Sequence, residues 1–206
     1  MAKAKVKRSS TSIDMTAMCD VSFLLLTFFI LTATARQPDP LDITIPTSTY
    51  KIPVPDIDIA KLSIGHGKVF YEVVGKDIKM ATLDKMGEQY KISFTPEERQ
   101  RFGVISSFGV PIQNLKQFIA LPDETARTAS PLQSGIPTDS LNNQLASWIL
   151  NSRKAVAELH SQPMRISIKG DATEEYPAIK KIIDILQDQK INKFSLITSA
   201  EGGDNQ

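Results

Sequence analysis

Between Ile13 and Ala35 the chain holds no proline, no glycine and no basic residue, and its centre is the run Val21-Ser-Phe-Leu-Leu-Leu-Thr-Phe-Phe-Ile-Leu31. At ~1.5 Å per residue these roughly 23 positions reach about 34 Å as a helix, enough to cross a ~30 Å hydrocarbon core with some tilt. The stretch 13–35 is therefore expected to be one transmembrane helix. Lys3, Lys5, Lys7 and Arg8 precede it, whereas Arg36 is soon followed by Asp39 and Asp42. That bias places residues 1–12 on the cytoplasmic side as a basic tail and sends the remainder across the membrane. The competing reading is a cleaved signal peptide ending at Ala33-Thr34-Ala35. Against it stand a polar lead over 9–16 that is long for such a segment and an acid just ahead of the apolar run. Cys19 precedes that run instead of following it, which suits a small buried apolar side chain better than a lipid attachment site.

The acid is Asp20, and no Lys or Arg lies within the run to neutralise it. Ionisable residues in membrane helices are costly, face a protein interior or a hydrated path, and mark proton or ion routes. At ~100° per residue, Thr16, Asp20, Thr27 and Thr34 fall within about 40° of one another and form a single polar stripe. Threonines alone commonly bond back to their own helix. With Asp20 among them, the stripe is expected to face a partner or water.

The stretch Asp14-Met-Thr-Ala-Met-Cys-Asp20-Val-Ser-Phe-Leu-Leu-Leu-Thr-Phe-Phe-Ile30 resembles the signature of the ExbD/TolR family of biopolymer transport proteins. The resemblance implies a single-pass protein of the bacterial inner membrane in Gram-negative cells, with a cytoplasmic N-terminus and a periplasmic domain that forms a homodimer. It gives Asp20 the proton-carrying role and Thr16 the place of the motif threonine. The implied partners are a pentamer of the ExbB/TolQ type and a TonB-like protein or the cell wall, peptidoglycan included. Ala17 stands where the family usually has proline, so the restriction that proline places on its predecessor is absent at Thr16. The resemblance implies a proton-motive-force-driven subunit that energises TonB-dependent outer-membrane transport. The alternatives are a TolR-like or stator-like anchor gripping the cell wall and a secreted binding domain left after signal cleavage.

Residues 36–58 carry Pro38, Pro40, Pro46, Pro53 and Pro55 among short alternating pieces, the pattern of an extended tether that pairs with a sheet edge only briefly. Within it Ile43, Ile45 and Pro46 resemble the family's coupling strand. A domain is expected over 59–200. It begins with a hairpin from Lys61-Leu-Ser-Ile64 through Gly65-His-Gly67 to Lys68–Val74. Helical pieces from about 80 to 137 exceed the compact family domain and read as an insertion. They include a helix capped by Thr95 with Pro96 and Glu98, a short helix over Asn114–Leu121, and a polar loop over 122–137. Thr138 is expected to cap a helix through Leu159 with Leu141, Leu145, Trp148 and Ile149 on its apolar face. A strand over Met164–Lys169, a helix over Glu175–Gln189, a strand over Lys193–Thr198 and a flexible tail over 201–206 complete the chain. The fold class is α+β: one transmembrane helix, then two helices packed on a small sheet, with a helical insertion.

With 24 Lys+Arg against 23 Asp+Glu there is no basic excess to attract nucleic acid. One cysteine in the whole chain forms no internal disulfide. His66 reads as a turn residue, His160 as a helix-end residue, and neither has a second ligand at metal spacing. Asp171 reads as a turn acid, while Glu97-Glu98 and Glu174-Glu175 read as first-turn acids. No phosphate loop, nucleophile elbow or metal cluster points to an enzyme, and no cofactor is expected.

Overall fold

Alternating apolar residues organise the sheet, and the helices follow from where that apolar surface needs cover. The computed structural model describes residues 15–32, 47–48, 57–139, 142–171, 176–197 and 199–200. They fall in two compact units, Met1–Gln37 and Pro38–Gln206. The first contains α1 (Met15–Thr32), which lies inside the span expected from the sequence and has no buried residue in the single chain. Thr34, Ile43, Ile45 and Pro46 lie outside the described residues.

The second unit begins with β1 (Thr47–Ser48), β2 (Ile59–Gly65), β3 (Lys68–Val73), α2 (Lys76–Tyr90) and α3 (Pro96–Val104). It continues with a 3-10 turn at Ile112–Asn114, α4 (Leu115–Ala120), α5 (Glu124–Thr128), β4 (Thr138–Asp139) and β5 (Asn142–Asn143). The last elements are α6 (Gln144–His160), β6 (Arg165–Gly170), α7 (Tyr176–Asp188), β7 (Ser195–Leu196) and β8 (Ser199–Ala200).

The main sheet has the order β3-β2-β6-β7, antiparallel between β2 and β3 and parallel elsewhere. His66 and Gly67 both adopt left-handed φ, 52° and 69°, the geometry by which a two-residue turn follows the twist of its strands. Opposed pairs share a face, so Leu62, Tyr71 and Ile168 stand together, as do Ala60, Val73 and Ile166. That face is buried, while the other carries the Lys61–Glu72 ion pair at 3.6 Å. Trp148, Ile149 and Val156 of α6 and Ile182 and Leu186 of α7 join the same core. Both helices expected from the sequence thus cover the apolar face.

Segment 76–137 belongs to this core. Leu83, Met86, Phe102, Phe108, Leu115 and Phe118 are all buried in it. The segment also closes the outer edge of β3: the Tyr71 N–H donates to Phe108 O at 2.8 Å, and the Ile136 N–H to Val69 O at 2.9 Å. An edge satisfied in this way no longer offers a template for strand addition.

Several boundaries differ from the sequence expectation. The helical stretch begins at Lys76, ahead of Met80. Residues 122–137 are not all loop, because the Asp123 carboxylate accepts from the Ala126 N–H at 2.7 Å and starts α5. Thr138 does not cap α6. It pairs with Asn143, and the Asn143 side chain accepts from the Ala146 N–H at 3.0 Å, so the helix starts at Gln144 and Leu141 lies outside the described residues. The closing strand shortens to Ser195–Leu196, extended by an Ile197 N–H bond to Ile168 O. The capping box at Thr95 forms as expected, with the Glu98 N–H donating to the Thr95 hydroxyl and the Thr95 N–H to Glu98.

Candidate functional site in the apolar helix

The sequence of α1 dictates its surroundings. Eighteen residues with a mean hydropathy of 1.9 contain no base, and their large side chains project outward, Phe23 with 64% and Leu31 with 85% of its surface exposed. Such a surface requires lipid or another protein, because a helix apolar over most of its circumference is stable only when covered. At ~1.5 Å per residue α1 spans about 27 Å.

Three of its hydroxyls are satisfied locally. The Ser22 hydroxyl donates to Met18 O at 2.8 Å, Thr27 to Leu24 O at 2.9 Å and Thr32 to Phe28 O at 2.8 Å. Thr27 therefore needs no partner outside α1, although it lies on the face of Thr16 and Asp20. Asp20 differs, since a carboxylate accepts only and the first turn before it offers no side-chain cation. It is the one charged side chain of α1, it is exposed, and it stands in the second turn, about 8 Å from the helix start.

Residues 6–201 match the family of biopolymer transport proteins ExbD/TolR. The chain belongs to the ExbD/TolR family. Nothing matches it among curated proteins or among solved structures. Members of the ExbD/TolR family are accessory proteins of energy transduction in biopolymer transport, not enzymes, and work with membrane partners of the ExbB/TolQ type. The N-terminal apolar helix, the one candidate membrane span among the described residues, and the α+β domain that follows fit that family.

Elsewhere in this ExbD/TolR chain, among the described residues, no three His, Cys, Asp or Glu side chains converge as a metal site. The core cavity among Tyr71, Lys79, Phe102, Phe108 and Trp148 is about 10 Å³, room for one water at most. Burial pushes the Tyr71 phenol up and the Lys79 amine down, and the Lys79 ammonium donates to Ile105 O. One polar cluster escaped sequence reasoning: Asp58, Asp77 and His160 meet, although they are 19 and 102 residues removed from Asp58 along the chain for Asp77 and His160 respectively. His160 does end a helix, as its position suggested, yet no spacing in the sequence announces its two carboxylate neighbours.

Proposed function

We propose that this chain is the proton-responsive, ExbD-like subunit of an inner-membrane motor that uses the proton-motive force to energise TonB-dependent transport across the outer membrane. The observation that carries the reading is the lone carboxylate of Asp20 in an otherwise apolar, uncovered helix. Burial in a medium of low dielectric disfavours the charged form of a carboxyl, while a hydrated or hydrogen-bonded position restores it. Alternation between the two moves α1 against its partner. The energies are commensurate: a charged side chain costs ~2.5–3.5 kcal/mol at the helix centre on insertion scales, an upper bound for Asp20 in the second turn, and a proton crossing 100 mV releases ~2.3 kcal/mol.

In this reading the N-terminus is cytoplasmic, α1 sits within an ExbB/TolQ-type pentamer as one of a homodimer, and the domain works in the periplasm. The proline-rich tether over 36–58 transmits motion, with Ile43, Ile45 and Pro46 as its coupling strand toward a TonB-like protein. Thr16, Thr27 and Thr34 line the face on which Asp20 stands.

The test compares wild type, Asp20→Asn and Asp20→Glu at equal expression, measuring energy-dependent outer-membrane uptake beside co-purification of the membrane partner. The Asn variant keeps size and hydrogen bonding but does not titrate, so it should assemble and lose uptake; the Glu variant should keep a fraction. Wild-type uptake by the Asn variant would sink the proposal. Co-purification with peptidoglycan in place of a TonB-like protein would move the chain to the anchoring role.

A further inference from the structure

Asp58 immediately precedes β2, Asp77 lies in the first turn of α2, and His160 is the last residue of α6. The imidazole sits between the two acids, Nδ1 against Asp58 Oδ1 and Nε2 at 3.0 Å from Asp77 Oδ2. Ionised carboxylates only accept, and a neutral imidazole has one N–H. Both contacts can be hydrogen bonds only when both ring nitrogens donate, that is, when His160 is a cation. A neutral ring would turn a lone pair toward one of the carboxylates.

The backbone reinforces this requirement. His160 stands at a helix C-terminus, where the macrodipole favours positive charge, and Asp77 stands at a helix N-terminus, where it favours negative charge. Hydrogen bonds with Asp58 and then Asp77 hold His160 above the ordinary histidine value. Burial alone would raise Asp77, but N–H groups at Ile78 and Asp77 and the His160 ring together hold it below the ordinary carboxylate value. Asp58 and Asp77 are the charged groups acting on the ring. Nearby in sequence, Lys76 flanks Asp77, Arg165 begins β6, and Glu158 of α6 is taken up by Lys85 at 2.8 Å.

Asp58 is also well placed to transmit a change. Its backbone is in the left-handed region at φ 54°, and its carbonyl accepts from the Arg165 N–H at 2.8 Å where β6 begins beside β2. The chain before it is the proline-rich stretch 36–57.

We propose that Asp58, Asp77 and His160 form a proton-dependent latch that ties the end of the tether to both α2 and α6 while His160 is protonated and loosens it, by the loss of one of the two contacts, when the proton leaves. The proposal stands independently of any proton carried by Asp20. Because the folded state raises His160, the latch is fully closed below the unfolded histidine value of ~6.5 and opens as pH rises through the higher folded value. Because the folded state lowers Asp77, its share persists above the ordinary carboxylate value and is lost only as pH falls through the depressed one.

The test is hydrogen exchange on the full chain in detergent micelles, from about pH 5.5 to about pH 8.5, corrected for intrinsic chemistry. Amides at Ile57 and Asp58, the described end of the tether ahead of β2, should open with up to a tenfold increase per pH unit through the transition, the slope of a one-proton linkage. His160→Asn should abolish that slope and exchange as the wild type does at high pH, while Asp77→Asn should move the midpoint down. The same pH profile in wild type and His160→Asn would overturn the latch. Ring-proton NMR gives a second readout: the chain has two histidines, so the His160 signal is assigned by its loss in the Asn variant. His160 should titrate above ~6.5, and a midpoint at or below that value would overturn the proposal.

Discussion

Phe108→Ala should destabilise the domain by about 4 kcal/mol and lower its melting temperature by about 12 °C, taking ~3 °C per kcal/mol for a chain of this size. The magnitude follows from what the ring touches. Phe108 is 4% exposed, and its ring centroid lies 4.8 Å from Trp148, 5.3 Å from Phe102 and 6.2 Å from Tyr71. Truncating a buried phenylalanine costs ~3–5 kcal/mol, and three edge-to-face partners put this site in the upper half of that range. Trp148 is the only tryptophan and is buried beside the deleted ring, so its fluorescence reports on the core directly. Urea and thermal unfolding of the full chain in detergent, followed by Trp148 emission and by far-UV circular dichroism, should give coincident transitions in wild type and variant. A loss below about 1 kcal/mol, or wild-type transitions that separate, would show that 96–137 is an appendage and refute its place in a shared core.

Gln144→Leu tests a buried polar brace. The Gln144 carbonyl accepts from the Ile112 N–H at 2.8 Å, and its amide donates to Gln113 and Asn142, so the apolar variant strands a buried donor and should lose ~1–3 kcal/mol by urea midpoint. Gly87→Ala tests the end of α2: a Cβ there would stand 2.6 Å from Ile92 O, which cannot retreat because the Ile92 N–H bonds Gly87 O at 2.8 Å. The clash should outweigh the ~1 kcal/mol helix-propensity gain of alanine and leave a net loss of ~1–2 kcal/mol, measured by scanning calorimetry.

What the sequence made legible was local. Thr95, Pro96 and Glu98 specify a helix start within four residues, and the structure contains it. Period-two alternation around His66-Gly67 marked the hairpin, and the lone acid in α1 was visible against its apolar neighbours. The start of α6 was not visible, because the apolar periodicity runs back to Leu141 while the chain ahead of Gln144 is diverted by the Thr138–Asn143 pairing. Polar α5 offered no periodic face to read. The meeting of His160 with Asp58 and Asp77 depends on the packing of α6 beside α2 and on the position of β2, none of which has a local sequence cause.

The parallel pairing of β2 with β6 also sets a timetable. The hairpin partner β3 leaves the ribosome immediately after β2, but β6 follows about a hundred residues later, roughly 5–20 s at ordinary synthesis rates. During that interval one flank of the future central strand is an open row of amides and carbonyls, and segment 76–137 serves the far side of β3, leaving that flank bare. Neighbouring nascent chains expose the same flank at the same stage. Pairing between them competes with the native crossover until Arg165–Gly170 is made, so the yield of folded protein should depend more on how crowded the chains are during synthesis than on the stability of the finished domain.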